Sequence, residues 1–324
     1  MGLIFSKNTK GIVLVVISSI CFAIVPNSAK LALDDGVSLY FLLTSRFVIG
    51  VTILAPYLFF HRKFFYVPSE LFATLFLASV AAICMLAATY HAVNFIDIGL
   101  VLLILYTFPL GIALLARIKR GEMLSIPRWF CMATVLGGLG LMIYDGQEHI
   151  NMYGIAISVI GLISFIFFIE ASGILVVKIG AAALNFYMSI IGFIFMLIIY
   201  PFGFNISIPV TNTGVIAIGA NGLCFVLSWV LFFEGSRLIG MTRASLLTCV
   251  EPLFAALIAL AFLGQHLSSN EWVGFFVVLT AIFFFERLGP AIEELDDAGD
   301  EDGNGGGLDD PHKGLLGKTP MWNL

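Results

Sequence analysis

Tyr90–Trp129, YHAVNFIDIGLVLLILYTFPLGIALLARIKRGEMLSIPRW, and Phe233–Trp272, FEGSRLIGMTRASLLTCVEPLFAALIALAFLGQHLSSNEW, decide the fold when one is laid on the other. At this offset of 143 residues Pro109 falls on Pro252, Gly121 on Gly264, Ser125 on Ser268 and Trp129 on Trp272; upstream, Gly11 falls on Gly154. Apolar residues coincide by chance in any helix-rich chain. A proline, a glycine, a serine and a tryptophan in one register are harder to obtain that way. The chain contains an internal repeat.

A helix crosses the hydrocarbon core of a bilayer with about 20 largely apolar residues, its backbone hydrogen bonds closing within the segment. Ten such runs are present. The first copy holds Gly11–Leu33, Leu39–Phe60, Leu71–Val93, Ile98–Ala116 and Ile126–Tyr144. The second holds Tyr153–Val177, Ala181–Tyr200, Thr213–Phe233, Thr242–Leu263 and Trp272–Leu288. Five is odd, so the second copy enters from the opposite face and the repeats are inverted. The predicted fold class is all-α integral membrane, with ten transmembrane helices as two inverted five-helix repeats. The predicted segments are an N-terminus of residues 1–10, repeats over 11–144 and 153–288, and a tail over 289–324.

Composition agrees. The 324 residues are 60% hydrophobic and 11% charged, with a mean hydropathy of +1.04. Soluble domains carry roughly a quarter charged residues, and this apolar surplus suits lipid rather than water. The net charge of −5 is uneven: from Gly289 onward there are nine Asp/Glu and two Lys, and the rest of the chain is slightly basic. The tail, with EELDDAGDEDGNGGGLDD, has too few apolar residues to offset chain entropy and is expected to be a disordered cytoplasmic segment. Connections between spans are too short for a soluble enzymatic domain.

Basic residues set the orientation. Lys7, Lys10, Arg62, Lys63, Arg117, Lys119, Arg120, Arg128, Lys178, Arg237, Arg243 and Arg287 fall in one set of loops, and only Lys30 falls in the other. The first set is expected in the cytoplasm, with both termini. The first apolar run is longer than the core of a cleaved signal and nine more follow it, so the expected location is the cell (inner) membrane, multi-pass. Cys21, Cys84, Cys131, Cys224 and Cys249 are scattered singly through apolar runs, which reads as small packing residues rather than a metal or redox motif.

In these features the chain resembles the drug/metabolite transporter superfamily, specifically its EamA-type ten-helix members, over about residues 8–288. The most specific stretch is ASLLTCVEPLFAALIALAFLGQHLSSNEWVG, with Glu-Pro in the ninth span, FLG before a Leu, and a Trp opening the tenth; Arg46-Phe47 is a second recurrent feature. Gln265 and His266 stand where the family usually has an acidic and basic pair, and Phe108-Pro109 where the first repeat would carry Glu-Pro. The resemblance implies a transporter of amino acids, metabolites or drugs, more often outward than inward, and leaves the cargo open.

An ionisable side chain at mid-bilayer costs about 3 kcal/mol or more and needs a reason. Glu251 lies midway along the ninth span beside Pro252, which has no N–H to donate and is expected to open the helix locally. Carboxylate and loosened backbone together suit a cation, a proton or an amine; a kink-stabilising role is the alternative. Arg46 in the second span is placed to meet a substrate carboxylate or phosphate, to snorkel outward, or to pair with an acid. Glu170 in the sixth span either lines a vestibule or pairs with Lys178. Asn27 beside Pro26, Asn221, Tyr90, Tyr106 and Trp229 complete the candidate substrate or proton site, with packing as the alternative for each. Pro109 is the counterpart helix break in the fourth span, Pro26 is expected to break the first, and Gly137-Gly138-Leu139-Gly140 reads as a close-packing run.

Inverted repeats with a site between them are a recurrent transporter construction. The leading expectation is a secondary transporter working by alternating access, as an exporter. A channel or lipid flippase is the alternative, and an intramembrane enzyme a more distant one, since no HExxH, GxSxG or intramembrane Asp pair is present. Without a Walker motif, direct ATP drive is not expected. The expected partners are a small-molecule substrate and membrane lipid, not nucleic acid. A monomer and a homodimer are both open, and neither a cofactor nor a metal is expected.

Overall fold

The computed structural model describes residues 7–60, 67–96, 98–121, 124–143, 151–202, 205–262 and 268–288. Gly264, Gln265, His266 and the acidic tail lie outside the described residues. The first repeat contains α1 (Lys7–Asp34), α2 (Leu39–Phe60), α3 (Ser69–Ala92), α4 (Ile98–Leu105), α5 (Phe108–Arg120) and α6 (Ile126–Ile143). The second contains α7 (Met152–Ile179), α8 (Ala181–Ile199), α9 (Asn212–Ile239), α10 (Met241–Leu247), α11 (Glu251–Phe262) and α12 (Ser269–Arg287). Paired α4–α5 and α10–α11 are the fourth and ninth spans, so among the described residues twelve α-helices make ten crossings. Among the described residues nine spans have full membrane length and apolarity, and the shorter apolar helix Ile126–Met142 is the tenth.

The breaks in the fourth and ninth spans coincide under the repeat offset. In the fourth, Tyr106 and Thr107 form a turn, with the Thr107 N–H donating to the Ile104 carbonyl at 3.1 Å. In the ninth, Thr248–Val250 tighten into a 3-10 turn. Pro252 has no N–H for the Thr248 carbonyl four residues back, and the Glu251 N–H takes that carbonyl instead. The carbonyl that the sequence leaves free is therefore occupied, and the break is a change of winding.

Repeated residues also do repeated work at helix starts. Ser268 caps α12, accepting from the Glu271 N–H, while the Glu271 carboxylate accepts from the Ser268 N–H. Its counterpart Ser125 offers its carbonyl to the Arg128 and Trp129 amides ahead of α6. Gly180 and Gly240, with φ of 82° and 85°, link α7 to α8 and α9 to α10 through single residues in a region that L side chains rarely adopt.

Packing carries the inversion. Helix α1 lies against α9 as α7 lies against α3, and these two pairs exchange under the offset. Helices α2 and α8 pack on each other, as do α6 and α12, each pair across the pseudo-twofold axis. At the α6–α12 contact a Cβ on Gly138 would stand 3.0 Å from the Gly274 carbonyl, whereas one on Gly137 would meet nothing within 4 Å. Only part of the predicted glycine run is needed for close approach.

Both ends of the bundle are tied. At the basic end the Arg243 guanidinium pairs with Glu286 and donates to Asn8, joining α10, α12 and α1. Nearby, Arg128 Nη2 donates to the Leu288 carbonyl at 3.1 Å. At the opposite end Asp35 Oδ2 accepts from the Val210 and Thr211 amides at 2.8 and 3.0 Å, and Oδ1 accepts from the Thr211 hydroxyl at 2.7 Å.

Candidate functional site

Arg46 organises the half of the bundle nearer Asp35. It is 8% exposed, so it does not snorkel. Its Nε donates to Asn221 Oδ1 at 2.6 Å, its guanidinium lies 5.4 Å from the centre of the Phe225 ring, and the Tyr90 hydroxyl faces it. A neutral amide, an aromatic face and a phenol thus take the place of the acidic partner that the sequence leaves open. Asn221, fully buried, turns its amide to the Val25 carbonyl at 2.7 Å and Ser28 Oγ at 3.1 Å. Those acceptors flank Pro26 in α1. Asn27 donates to the Ala23 carbonyl at 2.8 Å and across to the Ala255 carbonyl at 3.2 Å. Ala255 stands one helical turn beyond Glu251. Arg46 and the ninth span are therefore connected through the α1 proline.

Glu251 itself faces Tyr106, whose hydroxyl is positioned to hydrogen-bond with the carboxyl. The two come from equivalent breaks, Tyr106 from the turn between α4 and α5 and Glu251 from the start of α11. Both keep some accessible surface although protein surrounds them deep in the bundle. The counterpart of Glu251 is Phe108, 3% exposed and packed on Phe165 with ring centres 4.6 Å apart. One half carries a carboxyl at the break and the other an aromatic plug.

A cavity of about 90 Å³ lies between α2, α3, α7, α8 and α9. Phe47, Phe168, Phe225 and Trp229 wall it, and Ser79, Asn185 and Ser189 supply its polar groups. Trp229 belongs to a larger aromatic cluster, with Phe22 at 4.9 Å, Phe168 at 5.0 Å and Phe233 at 5.6 Å between ring centres. Phe225 links the cavity to the Arg46 group because it serves both. Sequence reading found Trp229 but missed Phe168, Phe225 and Ser189. In so Phe-rich a chain a cavity-lining ring looks like any other. The repeat offset was the usable signal, since it places Ser189 opposite Arg46.

The remaining candidates separate. Glu170 is 8% exposed within the α7–α3 region, while Lys178 is exposed near the end of α7. Glu170 is the repeat counterpart of Asn27, so each copy places a polar side chain at the same register of its first helix. The cavity lining includes neither Glu170 nor Glu251. Among the described residues no three His, Cys, Asp or Glu side chains gather as a metal site.

A family model described as "EamA-like transporter family" matches residues 9–144 and 151–287. A curated protein of Salmonella typhimurium (strain LT2), named "Uncharacterized inner membrane transporter YicL", is 38% identical over 56 residues, 17% of this chain. That match spans 19% of the relative's own length. A crystal structure of a protein superposes with a TM-score of 0.72 at 13% identity, over 87% of this chain and 100% of that one. The likeness to it shows the fold alone.

Proposed function

Because the chain belongs to the EamA-like transporter family, we propose that it is a secondary transporter carrying a small amino-acid-like metabolite across the cell membrane by alternating access, in the export direction. The observation that carries this reading is the meeting of Tyr106 and Glu251 at the paired helix breaks of the fourth and ninth spans. Broken helices at a repeat interface are where transporters of this construction hold solutes and coupling ions. Arg46, held by neutral groups, keeps a charge that a substrate carboxylate complements, and the aromatic-walled cavity suits the apolar part of such a solute. Asn27, Asn221, Tyr90 and Trp229 shape the space between, and Glu170 serves the opposite half.

The test is flux per mole of inserted protein in liposomes, measured across pH for wild type and Glu251→Gln, with a metabolite identified by a binding screen. The substitution keeps size and removes charge. Hydrogen bonds to charged groups are worth about 1.5–3 kcal/mol, so turnover should fall about tenfold or more, with insertion unchanged and the pH profile flattened. Unchanged flux and profile would return Glu251 to a kink-stabilising role.

The orientation belongs to the same reading: the basic end faces the cytoplasm with both termini. Reporter fusions at Asp145 and Leu324 should read outside and inside respectively. An external signal at Leu324 overturns the orientation without touching the Glu251 proposal.

A further inference from the structure

Helices α1 and α9 meet along a seam of small and polar residues. A Cβ on Gly235 would stand 3.0 Å from the Gly11 carbonyl, so the backbones approach closely at the basic end. Further along, Ser18 Oγ donates to the Ser228 carbonyl at 2.8 Å, and Asn221 Nδ2 donates to the Val25 carbonyl at 2.7 Å. These bonds fix an antiparallel register in which a residue's number on α1 falls as its partner's on α9 rises. Cys21 lies three residues after Ser18 and four before Val25. Cys224 lies four residues before Ser228 and three after Asn221. Helical spacing of three and four keeps each cysteine on its seam, and the register sets them opposite one another. The two thiols are near enough to interact across the seam. Both are free and partly accessible.

We propose that Cys21 and Cys224 form an oxidisable dithiol that closes to a disulfide stapling α1 to α9. A hydroperoxide, small and neutral enough to enter a bilayer, is the matching oxidant class. One sulfur attacks the peroxide oxygen, the O–O bond breaks, and a sulfenic acid forms as water or an alcohol leaves. The second thiol then displaces the sulfenic oxygen as water and the S–S bond forms. The two thiols lose two electrons and two protons in all, and the peroxide is reduced by the same two electrons. A disulfide needs Cα atoms about 4.4–6.8 Å apart, and small residues let the two backbones approach closely along this seam. In sequence the pair looks like two unrelated packing residues because 203 positions separate them. Its place is specific: Cys224 precedes Phe225, and Cys21 lies one turn from Val25, the carbonyl partner of Asn221. The staple therefore fixes the seam beside the Arg46 network.

The test uses the full-length protein in detergent or liposomes, treated with hydrogen peroxide or tert-butyl hydroperoxide, then alkylated and digested. Expected are a peptide pair joining Cys21 to Cys224, protection of both thiols from alkylation, and reversal by a thiol reductant. The melting temperature should rise on oxidation in wild type and stay put in Cys21→Ser and in Cys224→Ser. Each variant keeps a small side chain on the seam, and a Cys84→Ser background removes an exposed thiol that would report separately. Two freely alkylated thiols after oxidation, or a linked pair involving Cys131 or Cys249 instead, would overturn the proposal. Neither outcome depends on transport.

Discussion

The interface of α1, α2 and α9 and its mirror image, the interface of α7, α8 and α3, share a backbone plan and differ in what fills it. Under the repeat offset Arg46 corresponds to Ser189, Asn221 to Ala78, Phe225 to Ala82, Val25 to Phe168 and Tyr90 to Phe233. In the first interface the larger polar groups meet and close the space with hydrogen bonds. In the second, Ser189, Ala82 and Phe168 line the cavity of about 90 Å³. The copies have kept their geometry and divided their chemistry. Inverted symmetry supplies two equivalent places, and substitution at matched positions has made one a charged strut and the other a hollow.

The largest effect is expected where the difference between the two interfaces is erased at its centre. Arg46→Ser gives the first interface the residue of the second. The Asn221 oxygen loses its donor and the space above Phe225 opens, and an orphaned buried polar group costs about 1–3 kcal/mol, to which lost packing of the long side chain adds. Thermal unfolding in detergent should show a loss of about 2 kcal/mol or more, and solute binding should weaken with it. A variant as stable as wild type would mean that the strut bears no strain-free load on the fold, and the asymmetry would have to be explained by binding alone.

The converse change sharpens it. Ala82→Leu fills part of the hollow, as the ring of Phe225 fills the matched place. Cavity filling commonly adds about 0.5–2 kcal/mol of stability. If the hollow receives solute, flux should fall roughly tenfold, equivalent to about 1.4 kcal/mol, while the melting temperature holds or rises. Stability gained with flux intact would make the cavity a packing defect.

These matched positions also show how much the sequence discloses. Ten spans, their inversion and the breaks at Pro109 and Pro252 were legible because each rests on local signals: apolar run length, a parity count, and residues that cannot continue a helix; the break expected at Pro26 is absent, and α1 runs through it from Lys7 to Asp34. Ends moved by a few residues, as with α9, which runs to Ile239 where the apolar run stopped at Phe233. Glu251, Arg46 and Asn221 were legible as candidates because polar groups are rare in such runs. Their partners were not. Arg46 meets Asn221 across 175 positions and Asn27 meets Ala255 across 228, and nothing local announces a neutral amide as the partner of a buried guanidinium. The cavity was illegible for a related reason, since the room between its aromatic walls comes from small residues such as Ala82 and Ser189, whose significance appears only beside their larger counterparts.

The two ends of the bundle extend the comparison at a smaller scale. The basic end is closed by a guanidinium–carboxylate pair, Arg243 with Glu286, and the other by hydrogen bonds to one carboxylate. The Thr211 hydroxyl, then the Thr211 and Val210 amides, hold the Asp35 carboxyl below its ordinary value of about 3.9. A carboxyl depressed in the folded state contributes stability that is fully present above its unfolded value and is lost as pH falls through the folded one. The Asp35 tie is therefore intact at neutral and alkaline pH and loosens only in acid. Asp35→Asn keeps one acceptor oxygen for the backbone amides and turns an NH₂ toward the Thr211 hydroxyl, which can accept as well as donate. The tie is weakened rather than abolished. Because Asp35 is only partly buried, the melting temperature at neutral pH should fall only slightly. The difference from wild type should shrink as the medium is acidified and vanish below the folded-state value. A gap that persists at low pH would show that the substitution acts through packing against Gly214, where a Cβ would collide with the Asp35 carboxylate, and not through charge.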